Sequence, residues 1–324
     1  MKLYNRKMSF AFAQKILQYK DYVFIYADSF LGDGNEPRGE RIKETLHPAS
    51  YYKIKYICQG ITTEQKICEM FETMDEHEAK KVYESLRRKE MHKFLAQIYE
   101  KNKKLVIDFT LMNYRFLGSL VAFLNEFEWE EVYFCYTEPG TYRKNTDSRI
   151  KYQNNNMGIE QIPGLETISD SSTVCDWVVF LGFEGSRVMR LEEDAASNRR
   201  YVLPYISIPA MNPHWHNMAI NANRDFYELK VDKEVTDYVS SIDPFETYQR
   251  LNEIKENSTD RLVISPIGSK PVFLGCVMYV LENEKEMLLF DNPVQAGSNS
   301  DEYGESHFYD LTQFVRAVKN SRFE

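Results

Sequence analysis

Three short turns in this chain gather polar groups directly behind apolar runs, and they carry the side chains best equipped for chemistry. Residues 108–115 read Asp-Phe-Thr-Leu-Met-Asn-Tyr-Arg, so Asp108, Thr110, Asn113 and Arg115 offer a carboxylate, a hydroxyl, an amide and a guanidinium. In residues 182–187, Gly182 and Gly185 let a backbone approach a ligand closely, while Glu184 and Arg187 add charge of both signs. In residues 268–270, Gly268, Ser269 and Lys270 bring flexible backbone, a hydroxyl and an ammonium to the start of a helix opened by Pro271. A free helix N-terminus favours anions, so these groups suit a phosphate or a carboxylate. Each turn also has a purely structural reading. Thr110 or Asn113 would cap a helix while Asp108 pairs with Arg115, Glu184 would answer a helix dipole, and Ser269 would cap the next helix.

Weaker signals surround these turns. Glu138 follows an aromatic run and, with Asp108, would make a carboxylate pair able to hold a divalent ion or move protons. No third carboxylate and lysine stand at a spacing that marks a nuclease, so no catalytic residue is assigned. His214 and His216 flank Trp215 without a third ligand nearby, which favours a structural role. Asp33-Gly34 lacks the alternating ligands of a calcium loop. The 182–187 turn fits neither GxGxxG nor GxSxG, and the 268–270 turn is not a P-loop, because Pro follows the lysine. The sequence therefore calls for no cofactor and no metal.

The elements that must hold these turns are legible as apolar runs. Residues 22–27, 51–57, 105–109, 131–137, 176–181, 201–208 and 262–265 read as strands, and 114–127, 186–195, 244–255 and 271–281 as helices. Asp243 and Pro244 open the third of these helices as N-cap and first helical residue. Residues 28–48 read as a long polar loop with a helical turn near 41–46. Residues 62–101 read as a helical insert, with apolar stripes that include Met91, Phe94, Leu95 and Ile98. Residues 138–174 and the Gly/Ser-rich 296–306 read as irregular, with a last helix near 311–318.

Strands that are apolar throughout, alternating with helices, predict an α/β fold with mainly parallel sheets covered by helices on both faces. Right-handed crossovers then bring the strand-to-helix turns to one edge, where ligands of such folds bind. Laying residues 105–124 on 262–281 gives 7 identities in 20 ungapped positions, among them Leu-Val-Ile and Phe-Leu-Gly. That match predicts an internal duplication: two Rossmann-like units, at 1–175 and 176–324, with the helical insert (about 61–101) in the first.

Composition narrows the function classes. The chain has 324 residues, 43% hydrophobic and 27% charged, as in a globular protein. Its formal net charge of −9 argues against non-specific nucleic-acid binding, which needs many cations against phosphates. Five cysteines without CxxC spacing, two of them (Cys135 and Cys276) in apolar runs, predict buried free thiols and a cytoplasmic location. Nothing reaches the roughly 18 apolar residues of a membrane span, so no membrane partner is expected.

A strand, a Gly-Ser-Lys turn at Gly268–Lys270 and an apolar helix together resemble the ligand loop of CARF and SAVED sensor domains of bacterial defence systems, and the 108–115 turn is a looser counterpart. Ile267 stands where the doubled glycine common in CARF loops would begin. The resemblance implies a Rossmann-like sensor or accessory protein binding a nucleotide-like anion at the carboxyl edge of its sheet. Two alternatives stand beside it. One is a regulatory or assembly subunit working through protein contacts or as a homo-oligomer. The other is a metal-assisted phosphoester or nucleotide hydrolase built on Asp108 and Glu138.

Overall fold

The computed structural model describes residues 7–18, 21–27, 38–48, 50–57, 70–75, 78–82, 88–142, 161–167, 173–194, 199–208, 210–230, 237–291 and 300–322. In chain order the elements are β1 (Lys7–Ser9), α1 (Phe10–Leu17), β2 (Val23–Ala27), α2 (Arg38–Leu46), β3 (Ser50–Ile57), β4 (Met70–Asp75), β5 (Glu78–Val82), α3 (Arg88–Lys101), β6 (Lys104–Asp108), α4 (Tyr114–Leu124) and β7 (Glu131–Tyr142). Then come β8 (Cys175–Phe180), α5 (Gly185–Asp194), β9 (Arg199–Ser207), α6 (Trp215–Ala222), α7 (Arg224–Lys230), β10 (Asp237–Val239), α8 (Pro244–Asn257), β11 (Arg261–Pro266), α9 (Lys270–Glu282), β12 (Met287–Leu288), β13 (Ser300–Asp310) and α10 (Thr312–Arg322). The chain is α/β, with parallel strands flanked by helices. No described helix is long and apolar enough to cross a membrane.

Two compact units result. One draws on Arg6–Gln153 and Val294–Glu324, the other on Asn154–Pro293. This division differs from a cut after residue 175, because β13 returns to the first unit and pairs antiparallel with β7.

The first unit holds an eight-stranded sheet in the order β1-β13-β7-β6-β2-β3-β4-β5. Its centre, β7-β6-β2-β3, is parallel, and antiparallel pairs extend it at both ends. Every residue of β2 is buried, as a continuous apolar strand covered on both faces must be. Leu17 of α1 and Ile42 and Leu46 of α2 pack on Phe24, Tyr26, Val106 and Cys135 on one face. Phe94 of α3 meets Tyr52 edge-on from the other.

Three expectations fail here. β7 runs on through residues 138–142, which read as irregular. Met70–Asp75 and Glu78–Val82 are antiparallel strands on β3 rather than helix, and among the described residues of the predicted insert only those from Arg88 on are helical. Ser300–Asp310 is a strand rather than irregular tail. The stripe of Met91, Phe94, Leu95 and Ile98 is buried as expected. Cys135, Cys175 and Cys276 are buried free thiols, while Cys58 and Cys68 lie outside the described residues.

The second unit is a wholly parallel sheet in the order β10-β9-β8-β11-β12. Trp177, Val179, Ile206 and Val263 meet Val188, Leu191, Ala219 and Phe226 of α5, α6 and α7 on one face. α9 is buried from Pro271 to Leu281 and packs closely on α8. At Gly275 an added Cβ would stand 2.4 Å from the Pro244 carbonyl oxygen, so only glycine permits that approach. α8 begins as its sequence predicts, with the Asp243 carboxylate accepting the Phe245 and Glu246 N–H groups at 3.0 and 3.3 Å. Asp243→Ala is therefore expected to cost about 1 kcal/mol of stability, read as a lower denaturant midpoint.

Candidate functional site

Strand order identifies the edge of the sheet that can hold a ligand. In the second unit the chain steps from β8 outward to β9 and β10, then returns to place β11 on the other side of β8. The order reverses between β8 and β11, and open α/β sheets bind ligands in the crevice beyond the carboxyl ends of such a strand pair. The 182–187 and 268–270 turns both leave from that point. They touch: the Ile267 N–H bonds to the Phe180 carbonyl at 3.0 Å, and a Cβ on Gly182 would come 2.4 Å from the Ile267 oxygen.

Much of the 182–187 turn is committed to holding itself together. The buried Arg187 guanidinium meets Asp291 through Nε at 3.0 Å from both carboxylate oxygens and through Nη2 at 2.6 Å from Oδ1. Its Nη1 lies 2.8 Å from Glu184 Oε2, and the group sits 5.6 Å over the Phe290 ring. Burial alone would lower the pKa of this guanidinium. The hydrogen bonds and charge of Asp291, joined by Glu184, outweigh that and raise it above its ordinary value, so the arginine stays charged. Two carboxylates already balance it, and sequence reasoning did not anticipate Asp291, which lies just beyond β12. Gly185 serves packing, since a Cβ there would fall 1.8 Å from the Ala222 carbonyl oxygen.

The 268–270 turn differs. Ser269 is the N-cap of α9: its Oγ accepts the Val272 N–H at 3.5 Å and donates to the Ser241 carbonyl. Lys270 is the first helical residue and half-buried. A Cβ on Gly268 would make only ordinary contacts, the nearest at 3.7 Å, so packing does not demand this glycine. A backbone kept bare where packing would accept a side chain is what close approach to a ligand requires.

In the first unit the strand order reverses between β2 and β6, and Asp108 ends β6 opposite Tyr26. The 108–115 turn is knit by its own side chains. Asp108 Oδ1 accepts the Thr110 N–H at 2.9 Å, Thr110 Oγ1 accepts the Thr137 N–H at 2.9 Å, and Asn113 caps α4 by accepting the Arg115 N–H at 2.8 Å. Asp108 and Thr110 are both buried. Burial first, then the negative charge of Asp108, pushes the Cys135 thiol well above its ordinary pKa, so that cysteine is no nucleophile.

No protein-family model matches this chain, and neither does any curated protein.

Glu138 does not join Asp108 in a metal-holding group among the described residues; its companions are Glu305 and His307. Sequence reasoning missed both, because Glu305 lies in the stretch read as irregular and His307 just beyond it, where no element was read. His214 is exposed at the N-cap of α6, and neither it nor His216 belongs to a described ligand cluster.

Proposed function

We propose that this chain is a ligand-binding protein of the sensor or accessory kind, taking an anionic, nucleotide-like ligand at the carboxyl edge of its five-stranded parallel sheet. The observation that carries this reading is the reversal of strand order between β8 and β11, at which Gly268, Ser269 and Lys270 form the turn. The bare backbone at Gly268 admits a phosphate, the start of α9 presents N–H groups to it, and Lys270 supplies the positive charge. Arg187, matched by Asp291 and Glu184, holds the neighbouring turn in place instead of adding charge for the ligand. The resemblance of this turn to defence-system sensor loops makes linear and cyclic oligonucleotides the first ligands to try.

The sequence match between the two units supports the same reading. The matched segments at 105–124 and 262–281 form β6–α4 and β11–α9, each strand lying immediately across the order reversal of its own sheet, with β7 and β12 following as the next parallel neighbours. Matching packing positions with differing turns are what a duplication followed by specialisation of the turns would leave.

The test is a thermal-shift and calorimetric panel of mononucleotides, linear and cyclic dinucleotides and larger cyclic oligonucleotides. A ligand at a hundred times its Kd is expected to stabilise the protein by about 2.7 kcal/mol. Lys270→Ala, which removes a charge-assisted hydrogen bond, is expected to weaken that ligand by roughly ten- to a hundred-fold. Absence of stabilisation across the panel, or affinity unchanged in Lys270→Ala, would overturn the reading.

A further inference from the structure

We propose that Glu138, Glu305 and His307 form a binding site for one divalent first-row transition ion, with Zn²⁺ the best-matched. The site belongs to the eight-stranded unit and is independent of the nucleotide reading above.

β7 is longer than its parallel neighbour needs. β6 pairs with it only as far as Asp108 opposite Cys135, and beyond that point β13 is the partner of β7. Glu138 thus stands about 10 Å past the end of β6, on the carboxyl edge of the parallel strands. That is the edge on which open α/β sheets place their ligands.

The pairing of β7 with β13 is interrupted at this position. Tyr303 faces Pro139 and Ser306 faces Thr137, so Gly304 and Glu305 together oppose the single residue Glu138. One extra residue in one strand is a β-bulge, a device that bends the strand and re-aims a side chain, often beside a functional site. The glycine in the bulge makes the room: a Cβ on Gly304 would come 3.0 Å from the Cβ of Glu138. His307 follows Glu305 by two residues, and candidate ligand atoms of all three side chains lie within 4.8 Å of one another. The imidazole Nε2 is hydrogen-bonded to Glu138 Oε1. The side chains of His307 and Glu138 are only 8% and 12% exposed, whereas Glu305 faces solvent. The cluster is closed on the protein side and open at one position.

Charge and ligand type select the occupant. Two carboxylates share this small space, and a proton on the imidazole offsets only one of them. A divalent ion bound to a neutral imidazole offsets both. One nitrogen and two carboxylate oxygens suit Zn²⁺, and three protein ligands leave a fourth position for water. Ca²⁺ and Mg²⁺ favour all-oxygen shells of six or more ligands, which three side chains with an imidazole among them do not supply.

The experiment titrates the full chain with Co²⁺, read by its d–d absorption, and measures zinc retained after dialysis by elemental analysis. Wild type is expected to take one equivalent at this site, His307→Ala to lose it, and Glu305→Gln to bind at least ten-fold more weakly. Glu305 is solvent-facing, so its variant keeps the proposal testable if His307→Ala fails to fold; circular dichroism of both variants without metal identifies that case. A wild type that binds no ion, folded variants that match its affinity, or a preference for Ca²⁺ or Mg²⁺ over Zn²⁺ would overturn the assignment.

Discussion

Asp291→Ala is expected to destabilise the second unit by about 3–5 kcal/mol, the cost of stranding a buried charge. Arg187 loses three of its hydrogen-bond contacts in that variant and keeps only the one to Glu184, while its guanidinium remains buried. It cannot shed the proton to escape. In wild type its pKa is raised chiefly by Asp291, so the stabilisation the pair gives is present below the ordinary arginine pKa and is lost only as pH rises through a still higher value. The variant removes that cause, but the ordinary arginine pKa already lies far above the working range. Nothing in the working pH range relieves the charge by deprotonating it. The measurement is a urea midpoint for wild type, Asp291→Ala and the double variant Arg187→Met with Asp291→Leu. Replacing both partners with apolar groups of similar size is expected to recover most of the loss, because no charge is then left buried. A cost below about 1 kcal/mol for Asp291→Ala would mean that water reaches the guanidinium and that the pair is an ordinary surface contact.

That pair also shows where sequence reading stops. Strands buried on both faces announce themselves because covered strands are apolar nearly throughout: β2 is so at every position and β8 at every position but Asp176. Helix starts at Asp243 and Ser269 are legible because capping is local chemistry between a side chain and N–H groups two or three residues on. The β4–β5 hairpin was not legible: MFETMD and EAKKV mix charge with apolar residues at spacings that also fit a helix. β13 was hidden for a related reason. It begins Ser-Asp-Glu-Tyr-Gly-Glu-Ser, and a strand in an antiparallel extension of the sheet tolerates polar residues and a bulge glycine that a central strand would not. Missing β13 concealed both the unit boundary and the partners of Glu138. Asp291 went unseen because its partner lies 104 positions earlier in the chain, and no local pattern links the two.

Gly185→Ala and Gly268→Ala should separate a glycine that shapes the fold from the one proposed to shape a ligand site. In Gly185→Ala the new methyl would stand 1.8 Å from the Ala222 oxygen and 2.8 Å from its carbonyl carbon. Both are backbone atoms, so no rotamer change relieves the clash. The end of α6 is also pinned, because the Asn223 side chain donates to the carbonyls of Gly182 and Ala219, each at 2.7 Å. The expected cost is about 3 kcal/mol or more, at the upper end of overpacking penalties, with a matching fall in the denaturation midpoint. In Gly268→Ala the methyl meets nothing closer than 3.7 Å, and stability is expected to stay within about 0.5 kcal/mol of wild type. Its effect should appear only with ligand present. A methyl in the approach to the start of α9 would reduce nucleotide affinity without lowering the midpoint of the free protein. Equal destabilisation by the two substitutions would mean that Gly268 is a packing glycine like Gly185. The ligand edge would then lose the feature that distinguishes it from an ordinary turn.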